Sequence, residues 1–240
     1  MKKHIPNFIT SLNLASGFVA IIFAANGELV TASWLILAAM VFDFLDGLSA
    51  RLLKAYSDIG KELDSLADVV SFGVAPGIII YQLLNESLAI YAPSFVNSNS
   101  VIHTLILFLP AVMPVCAALR LAIFNLDSTQ STSFKGLPTP ANALAVISFI
   151  IGSHYSESPL FSSFTESPVS LVILTLGLSL LMVSRIPLLS LKVINLKFKG
   201  NEGRYILISQ VVLVFIIFGI GAAPLIIPVY IIASLLSLLF

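Results

Sequence analysis

Long apolar runs separated by short polar breaks occupy most of the chain. Most of these runs approach the roughly 20 residues that a helix needs to cross a bilayer. They lack the polar–apolar alternation of membrane β-strands, and a helix satisfies its own backbone hydrogen bonds where no water is available. The pattern therefore predicts eight transmembrane helices, at about 7–25, 30–53, 65–84, 101–124, 138–153, 168–189, 205–220 and 223–240.

The predicted architecture is an all-α integral membrane protein in which residues 1–240 form one membrane domain. The last two runs are separated only by residues 221–224, so seven spans are the alternative to eight. The N-terminal run follows two lysines, as in a secretory signal, but Asn7, Thr10 and Asn13 interrupt it. We therefore expect an uncleaved first helix.

Composition supports the membrane assignment. Hydrophobic residues make up 58% of the 240 residues and charged residues only 10%, whereas a soluble domain carries about 25% charged residues. The formal net charge is zero, which gives no reason to expect a nucleic-acid partner. The single cysteine, Cys116, excludes an intramolecular disulfide.

Positive charge is confined to one side of the predicted membrane. With a cytoplasmic N-terminus, none of the 12 lysines and arginines falls in the outside loops, which are residues 26–29, 85–100, 154–167 and 221–223. Cytoplasmic segments of membrane proteins are enriched in these residues, so the pattern supports this orientation. The residues expected to contact anionic membrane lipids are Lys192, Lys197, Lys199 and Arg204.

Four aspartates stand near the cytoplasmic ends of the second and third predicted spans. Asp43 and Asp46 are three residues apart, and Asp64 and Asp68 are four apart. Both spacings place two carboxylates on one helix face, and a cytoplasmic turn can bring the two faces together. Because clustered anions repel one another in a medium that disfavours charge, bound divalent cations are the simplest compensation. Carboxylate oxygens favour Mg²⁺ or Mn²⁺, with Ca²⁺ as an alternative.

Two other interpretations of these acids involve different chemistry. They could simply pair with Arg51, Lys54 and Lys61 in a solvated hairpin, although the matched helical spacings argue against this. They could also form the transit site of a divalent-cation transporter. A transporter should place its acids near the bilayer midplane, with a second polar half-site across the membrane. Here all four acids lie close to one face, and the outside loops are poorly organised for binding.

Small residues and an arginine separate the two pairs of acids. Gly47 leaves the backbone open to a ligand or to another helix. Ala50 has only a small side chain and therefore leaves space on the same helix face. Arg51 offers a planar cation suited to phosphate. Close helix packing is the alternative role of Gly47 and Ala50.

The segment from Asp43 to Asp68 resembles the complete signature of the CDP-alcohol phosphatidyltransferases. Every fixed position is present in Asp43-x2-Asp46-Gly47-x2-Ala50-Arg51-x8-Gly60-x3-Asp64-x3-Asp68. The resemblance implies a six-helix core, to which the last two predicted spans add a C-terminal hairpin. It also implies a bacterial or archaeal cytoplasmic membrane, with the active site facing the cytoplasm.

The resemblance also implies a reaction. In that family a CDP-linked lipid binds with its pyrophosphate at the metals, an alcohol attacks the lipid-side phosphorus, and CMP leaves. By position, two metal ions are implied, one held by Asp43, Asp46 and Asp64, and one surrounded by Asp43, Asp64 and Asp68. Asp68 would also be the catalytic base. The residues that would line the CDP-lipid site are Gly47, Ala50, Arg51 and Gly60.

Three further segments resemble the phosphatidylserine synthase branch of this family. They are the opening IPNFITSLNLASGF, RLAIFN at 120–125 and FKGLPTPA at 134–141. The second arginine of the family's RLARFN is Ile123 here. The resemblance implies CDP-diacylglycerol and L-serine as substrates, with phosphatidylserine and CMP as products. The candidate contacts to the acceptor or to phosphate are Arg120, Asn125, Lys135 and Gly136.

Other acceptors for the same reaction are alternatives. Glycerol 3-phosphate or inositol phosphate would bring an extra phosphate and should need additional cationic side chains, and Ile123 removes one candidate. Arg120 could instead extend toward lipid headgroups, and Gly136 could only shape the turn before the fifth span. An inactive scaffold that keeps the motif and a homodimer packed through small-residue faces are also compatible with the sequence.

Overall fold

The computed structural model describes residues 4–91, 93, 101–127, 133–156, 159–189 and 202–236. The first half contains helices α1 (His4–Ala25), α2 (Leu29–Leu53), α3 (Asp58–Asp68), α4 (Ala75–Tyr91), α5 (Val101–Phe108) and α6 (Val112–Leu126). The second half contains helices α7 (Thr139–Tyr155), α8 (Pro159–Glu166), α9 (Pro168–Val183), α10 (Glu202–Phe218) and α11 (Ile226–Leu236). The linking turns are a π-helix (Val69–Val74) and two 3₁₀ segments (Leu109–Ala111 and Gly219–Leu225).

Several of these helices join into stretches long and apolar enough to cross a membrane. The five stretches are His4–Ala25, Leu29–Leu53, Asp58–Tyr91, Val101–Leu126 and Tyr205–Leu236. Pro168–Val183 is a shorter apolar helix, and α7 covers the predicted fifth span. The predicted all-α membrane fold is therefore confirmed.

The last of these stretches folds back on itself. Val211 on α10 and Val229 on α11 line the same small apolar space, so the two helices lie side by side. A positive φ of 58° at Gly219 and Pro224 within the 3₁₀ segment explain why one straight helix does not form. This geometry matches the predicted C-terminal hairpin.

A short antiparallel sheet corrects the predicted sixth span. That span was expected to continue to residue 189, but α9 ends at Val183, and Pro187–Leu189 forms strand β2. Its partner is β1 (Ser133–Lys135). Pro187 lacks the N–H that a continuing helix needs, which accounts for the earlier end.

The third span also begins earlier than the apolar pattern indicates. Polar residues from Asp58 onward are helical because Ser57 caps the helix, its Oγ accepting a hydrogen bond from the N–H of Gly60 at 3.0 Å. The first half of this stretch is therefore amphipathic and carries Asp64 and Asp68 into the bundle.

The core lies where α1, α2, α4, α6 and α7 meet. Its largest fully buried side chains include Ile36, Phe72, Ile79, Met113 and Ile147. Buried alanines on α1 and α2 allow these two helices to approach closely, as small residues do in membrane bundles. Helix α2, which carries the first signature residues, is thus firmly packed against its neighbour α1.

Candidate active site

Three carboxylates converge at one point in the bundle. Asp43 on α2 and Asp64 and Asp68 on α3 each bring one oxygen to within 4.8 Å of the others. The two α3 residues are four apart and share a face, as their spacing predicts. The expected meeting of the two acidic helix faces is therefore present, although α3 packs mainly against α1 and not against α2.

A tight turn makes this convergence possible. Lys54 ends α2 in the left-handed conformation, with φ 49° and ψ 44°, and its N–H donates to the carbonyls of Ala50 and Arg51. The chain then reverses before Ser57 starts α3. Only a few residues separate the helices, so the acids of α3 return to the level of Asp43.

Asp46 lies beside this group but is not one of the three. It is buried, and its Oδ2 has no hydrogen-bond partner among the described residues. The Oδ1 of Asp64 is also buried and has no hydrogen-bond partner among the described residues. Both residues line the same cavity, so the two carboxylates with unsatisfied oxygens lie at one site.

The acids do not pair with the neighbouring basic residues. In the part of the chain that the structure describes, Arg51, Lys54 and Lys61 form no salt bridge with the four aspartates. The solvated ion-pair hairpin is therefore not the observed arrangement. Clustered hard oxygen ligands that form no salt bridge among the described residues fit a divalent metal.

Asp68 is held by side chains from two other helices. Asn13 on α1 donates through Nδ2 to Asp68 Oδ1 at 3.3 Å, and Thr139 on α7 donates through Oγ1 to Oδ2 at 3.5 Å. Both donors are completely buried. Asn13 and Thr139 lie within the segments that resemble the family, but sequence reasoning assigned no site role to either. A buried amide or hydroxyl in an apolar helix needs a partner, which is the signal that could have indicated them.

A π-helix follows Asp68 directly and packs closely against α1. Ser71 Oγ donates to the carbonyl of Asn13 at 3.1 Å, and Asn142 Nδ2 donates to the carbonyl of Phe72 at 3.0 Å. A Cβ on Gly17 would lie 2.2 Å from Ser71 Oγ and 2.7 Å from Ser71 Cα, so only glycine fits there. Such wide turns occur often at functional sites, and this one fixes the chain immediately after Asp68.

A cavity of about 370 Å³ opens between α1, α2 and the start of α3. Besides Asp46 and Asp64, its lining contains all four residues predicted to bind the CDP-lipid, namely Gly47, Ala50, Arg51 and Gly60. It also contains residues of α1, namely Pro6, Asn7 and Thr10.

The two glycines of this cavity differ in their surroundings. A Cβ on Gly47 would have Arg51 Nη2, at 3.9 Å, as its only neighbour within 4 Å, so the missing side chain leaves open space. A Cβ on Gly60 would lie 2.9 Å from Asn7 Oδ1 and from Ser57 Oγ. Gly47 therefore opens the cavity, whereas Gly60 allows α1 to approach the first turn of α3.

Arg120 is the acceptor candidate that the fold brings to the carboxylates. It lies on α6, is only 8% exposed, and is near enough to Asp68 to interact with it electrostatically. Its guanidinium carbon is 6.0 Å from the centre of the Phe124 ring. Such burial argues against the alternative in which this side chain extends to lipid headgroups.

Asn125 and Lys135 have other partners. Asn125 Nδ2 donates to Ser65 Oγ at 2.9 Å, and its carbonyl accepts from Lys61 Nζ at 2.9 Å, which ties α6 to α3. Lys135 forms a salt bridge of 2.8 Å with Asp127, with its side chain 48% exposed. These contacts give both residues a structural role next to the site.

Gly136 supports the turn between β1 and α7. Its φ is 79°, and a Cβ there would lie 2.5 Å from the carbonyl oxygen of Met182. Its N–H donates to the carbonyl of Ile186 at 2.9 Å. The turn-shaping alternative therefore has a direct structural basis.

The lipid-contact prediction for Lys192, Lys197 and Lys199 concerns residues outside those that the structure describes.

The sequence model of the CDP-alcohol phosphatidyltransferases matches residues 3–218, which include the whole signature and every carboxylate of the cluster. The chain belongs to this family. Its membership confirms the resemblance found in the segment from Asp43 to Asp68 and leaves the transporter interpretation without support.

Similar proteins within the phosphatidyltransferase family carry related names. The CDP-diacylglycerol–serine O-phosphatidyltransferase of Bacillus subtilis is 35% identical over 184 residues, which are 77% of this chain and 89% of that protein. The archaetidylserine synthase of Methanothermobacter thermautotrophicus is 35% identical over 173 residues, 71% of this chain and 67% of that protein. A serine O-phosphatidyltransferase of Mycobacterium leprae is 35% identical over 191 residues, 77% of this chain and 57% of that protein.

Proposed function

We propose that this phosphatidyltransferase transfers the phosphatidyl group of CDP-diacylglycerol to L-serine, releasing CMP. The observation that carries the proposal is the convergence of Asp43, Asp64 and Asp68 beside the cavity that Asp64 helps to line. The choice of serine is supported by the similar proteins, whose names refer to serine in both a bacterium and an archaeon.

The carboxylates have the composition of a magnesium or manganese site, with calcium as the alternative. Asp43, Asp46 and Asp64 would hold one ion, and Asp43, Asp64 and Asp68 a second. Bound divalent ions neutralise phosphate charge and stabilise the attacking and leaving oxygens. The unsatisfied buried oxygens of Asp46 and Asp64 support this assignment.

The cavity residues would bind the nucleotide end of the donor lipid. Arg51 presents a planar guanidinium, which can form paired hydrogen bonds to phosphate oxygens. The open space over Gly47 lets the substrate approach the α2 backbone. These groups would hold the donor so that its lipid-side phosphorus faces the carboxylates.

Asp68 would act as the general base. It accepts the proton of the serine hydroxyl as that oxygen forms a bond to the lipid-side phosphorus, and the bond from phosphorus to the CMP oxygen breaks. Asn13 and Thr139 hold the two carboxylate oxygens and so orient the base. We assign Arg120, a buried cation that interacts electrostatically with Asp68, to the carboxylate of serine.

An acceptor screen tests the proposal. Purified protein in lipid nanodiscs is given CDP-diacylglycerol, Mg²⁺ or Mn²⁺, and either serine, glycerol 3-phosphate or inositol phosphate. CMP release and the lipid product are measured for each, with the Asp68→Asn variant as the inactive control. We expect product with serine alone. Release with glycerol 3-phosphate and none with serine would overturn the choice of acceptor.

We further propose that the site faces the cytoplasm, because all 12 lysines and arginines fall on the predicted inner side. A Lys61→Cys variant in a Cys116→Ser background reports this orientation. A membrane-impermeant maleimide should label it in inverted vesicles and not in intact cells. The reverse pattern would place the site outside.

A homodimer stays a prediction that sedimentation in detergent can test.

A further inference from the structure

The last helix lies beyond the part of the chain that the family shares. The family match ends at residue 218, whereas the 3₁₀ segment and α11 continue from Gly219 to Leu236. This extension is nevertheless built into the bundle. Pro224 packs directly on Gly152 of α7, and Tyr230 and Ser234 are only 5% and 1% exposed.

Tyr230 and Ser234 hold both backbone groups of one residue of β2. Tyr230 Oη donates to the carbonyl of Leu189 at 2.9 Å, and the N–H of Leu189 donates to Ser234 Oγ at 3.2 Å. Ser234 Oγ in turn donates to the carbonyl of Tyr230 at 2.7 Å. The two polar side chains of an otherwise apolar helix thus both form hydrogen bonds to the backbone of one strand residue.

Because Tyr230 and Ser234 hold β2 in place, β2 in turn holds its partner strand, β1. Leu189 pairs with Ser133, and Pro187 pairs with Lys135. The chain that leaves β1 is anchored on the same side, because the N–H of Leu137 donates to the carbonyl of Leu181 at 2.9 Å. The segment 133–137 therefore has its position set from α9, β2 and α11 together.

This segment leads directly to the base. Thr139, two residues after Leu137, donates to Asp68 Oδ2. Tyr230 of α11 is therefore connected, through β2 and β1, with the donor to Asp68.

We propose that α11 is a positioning element for the acceptor, in which Tyr230 and Ser234 fix the segment 133–139 and thereby hold Thr139 beside Asp68. The inference rests on the proposed function. It assigns Tyr230 and Ser234 a role in acceptor use, although neither residue takes part in the chemical step.

Removal of single hydroxyl groups tests this role. Tyr230→Phe deletes the bond to the Leu189 carbonyl and keeps the ring, and Ser234→Ala deletes the acceptor of the Leu189 N–H. Ser209→Ala is the matched control, because Ser209 Oγ donates only within α10, to the carbonyl of Ile206. Tyr81→Phe is the control for tyrosine, since it keeps the ring contact with Phe108.

The expected result is selective for one substrate. Since a lost hydrogen bond changes an equilibrium by about two- to tenfold, the KM for serine should rise by about that factor in Tyr230→Phe and Ser234→Ala. The KM for CDP-diacylglycerol should stay at the wild-type value, and the thermal unfolding midpoint should fall only by the small amount expected for one lost hydrogen bond. All constants of the controls should stay at wild-type values. Equal changes in both KM values, or a lower unfolding midpoint with unchanged KM values, would show a merely structural role and overturn the proposal.

A second measurement does not depend on activity. Hydrogen exchange followed by mass spectrometry should show faster exchange of peptides that cover 133–139 and 186–189 in Tyr230→Phe than in wild type. Unchanged exchange would overturn the inference even in an active enzyme. If wild-type protein fails to use serine while exchange responds as expected, the proposed acceptor is wrong and the mechanical link between α11 and segment 133–139 stands.

Discussion

Replacement of Gly17 by alanine is a sensitive test of how α1 supports the active site. Gly17 faces Ser71 in the π-helix, three residues after Asp68. An added Cβ would lie 2.2 Å from Ser71 Oγ, 2.7 Å from its Cα and 2.8 Å from its Cβ. A rotation of the serine side chain cannot relieve the clash with the Cα atom, so the backbone of the π-helix or of α1 must move.

The sign of the effect follows from two opposing contributions. Alanine stabilises a helix interior by about 1 kcal/mol relative to glycine, whereas overpacking a tightly packed position destabilises by about 1–3 kcal/mol. All three distances are below 3.0 Å and one involves backbone, so we expect overpacking to dominate, with a net loss of up to about 2 kcal/mol. Because a misplacement of about 1 Å near the chemistry can reduce a rate by about 100-fold, CMP release should fall by about 10- to 100-fold.

Gly177 provides the matched control. It lies within α9, and an added Cβ would have nothing within 4 Å. Gly177→Ala should therefore leave CMP release unchanged and keep or slightly raise the midpoint of thermal unfolding in detergent. The same two assays, run on Gly17→Ala, should show both values reduced.

A double variant identifies the atoms responsible. Ser71→Ala removes the closest of the three atoms, so Gly17→Ala/Ser71→Ala should be less destabilised than the sum of the single variants. A Gly17→Ala protein with wild-type rate and stability would refute the view that this close approach fixes the chain after Asp68. Strict additivity in the double variant would show that the two residues do not oppose each other.

Three further predictions concern the base, the metal and the turn before α7. Asp68→Asn should abolish CMP release without lowering the unfolding midpoint, and an unaffected rate would remove Asp68 from the role of base. Chelation by EDTA should stop the reaction, and added Mg²⁺ or Mn²⁺ should restore it; activity that persists in EDTA would contradict the metal assignment. Gly136→Ala should lower the unfolding midpoint, because its backbone is left-handed and its Cβ would meet the Met182 carbonyl at 2.5 Å, a strain of about 1–3 kcal/mol. Lys135→Ala removes an exposed pair with Asp127, which contributes about 0–1 kcal/mol, so its midpoint should remain near that of wild type.

The sequence was sufficient to predict how the acidic helices meet. Spacings of three and four residues fix which side chains share a helix face, and a short polar turn between two apolar runs leaves little freedom. The convergence of Asp43, Asp64 and Asp68 follows from these local rules. The cavity beside them contains the predicted CDP-lipid residues because those residues lie on the same two helices.

Contacts between distant segments were beyond this reasoning. The π-helix at Val69–Val74 depends on its packing against Gly17 and Asn142, and no local pattern indicates it. The strand at Pro187–Leu189 was assigned to a helix, because an apolar run of this kind fits either structure until its partner, β1, is known. Thr139 was part of a recognised segment, but its bond to Asp68 spans 71 residues.

That separation has a consequence for the biosynthesis of the enzyme. Synthesis proceeds from the N-terminus at about 5–20 residues per second, so the 71 residues between Asp68 and Thr139 take about 4–14 s to add. During this interval the nascent chain already contains all four aspartates and Asn13, while the hydroxyl that supports the second oxygen of Asp68 does not yet exist. A polypeptide arrested in this window would carry the acids of the active site without the helix that completes the support of its base, and α11 would be added later still.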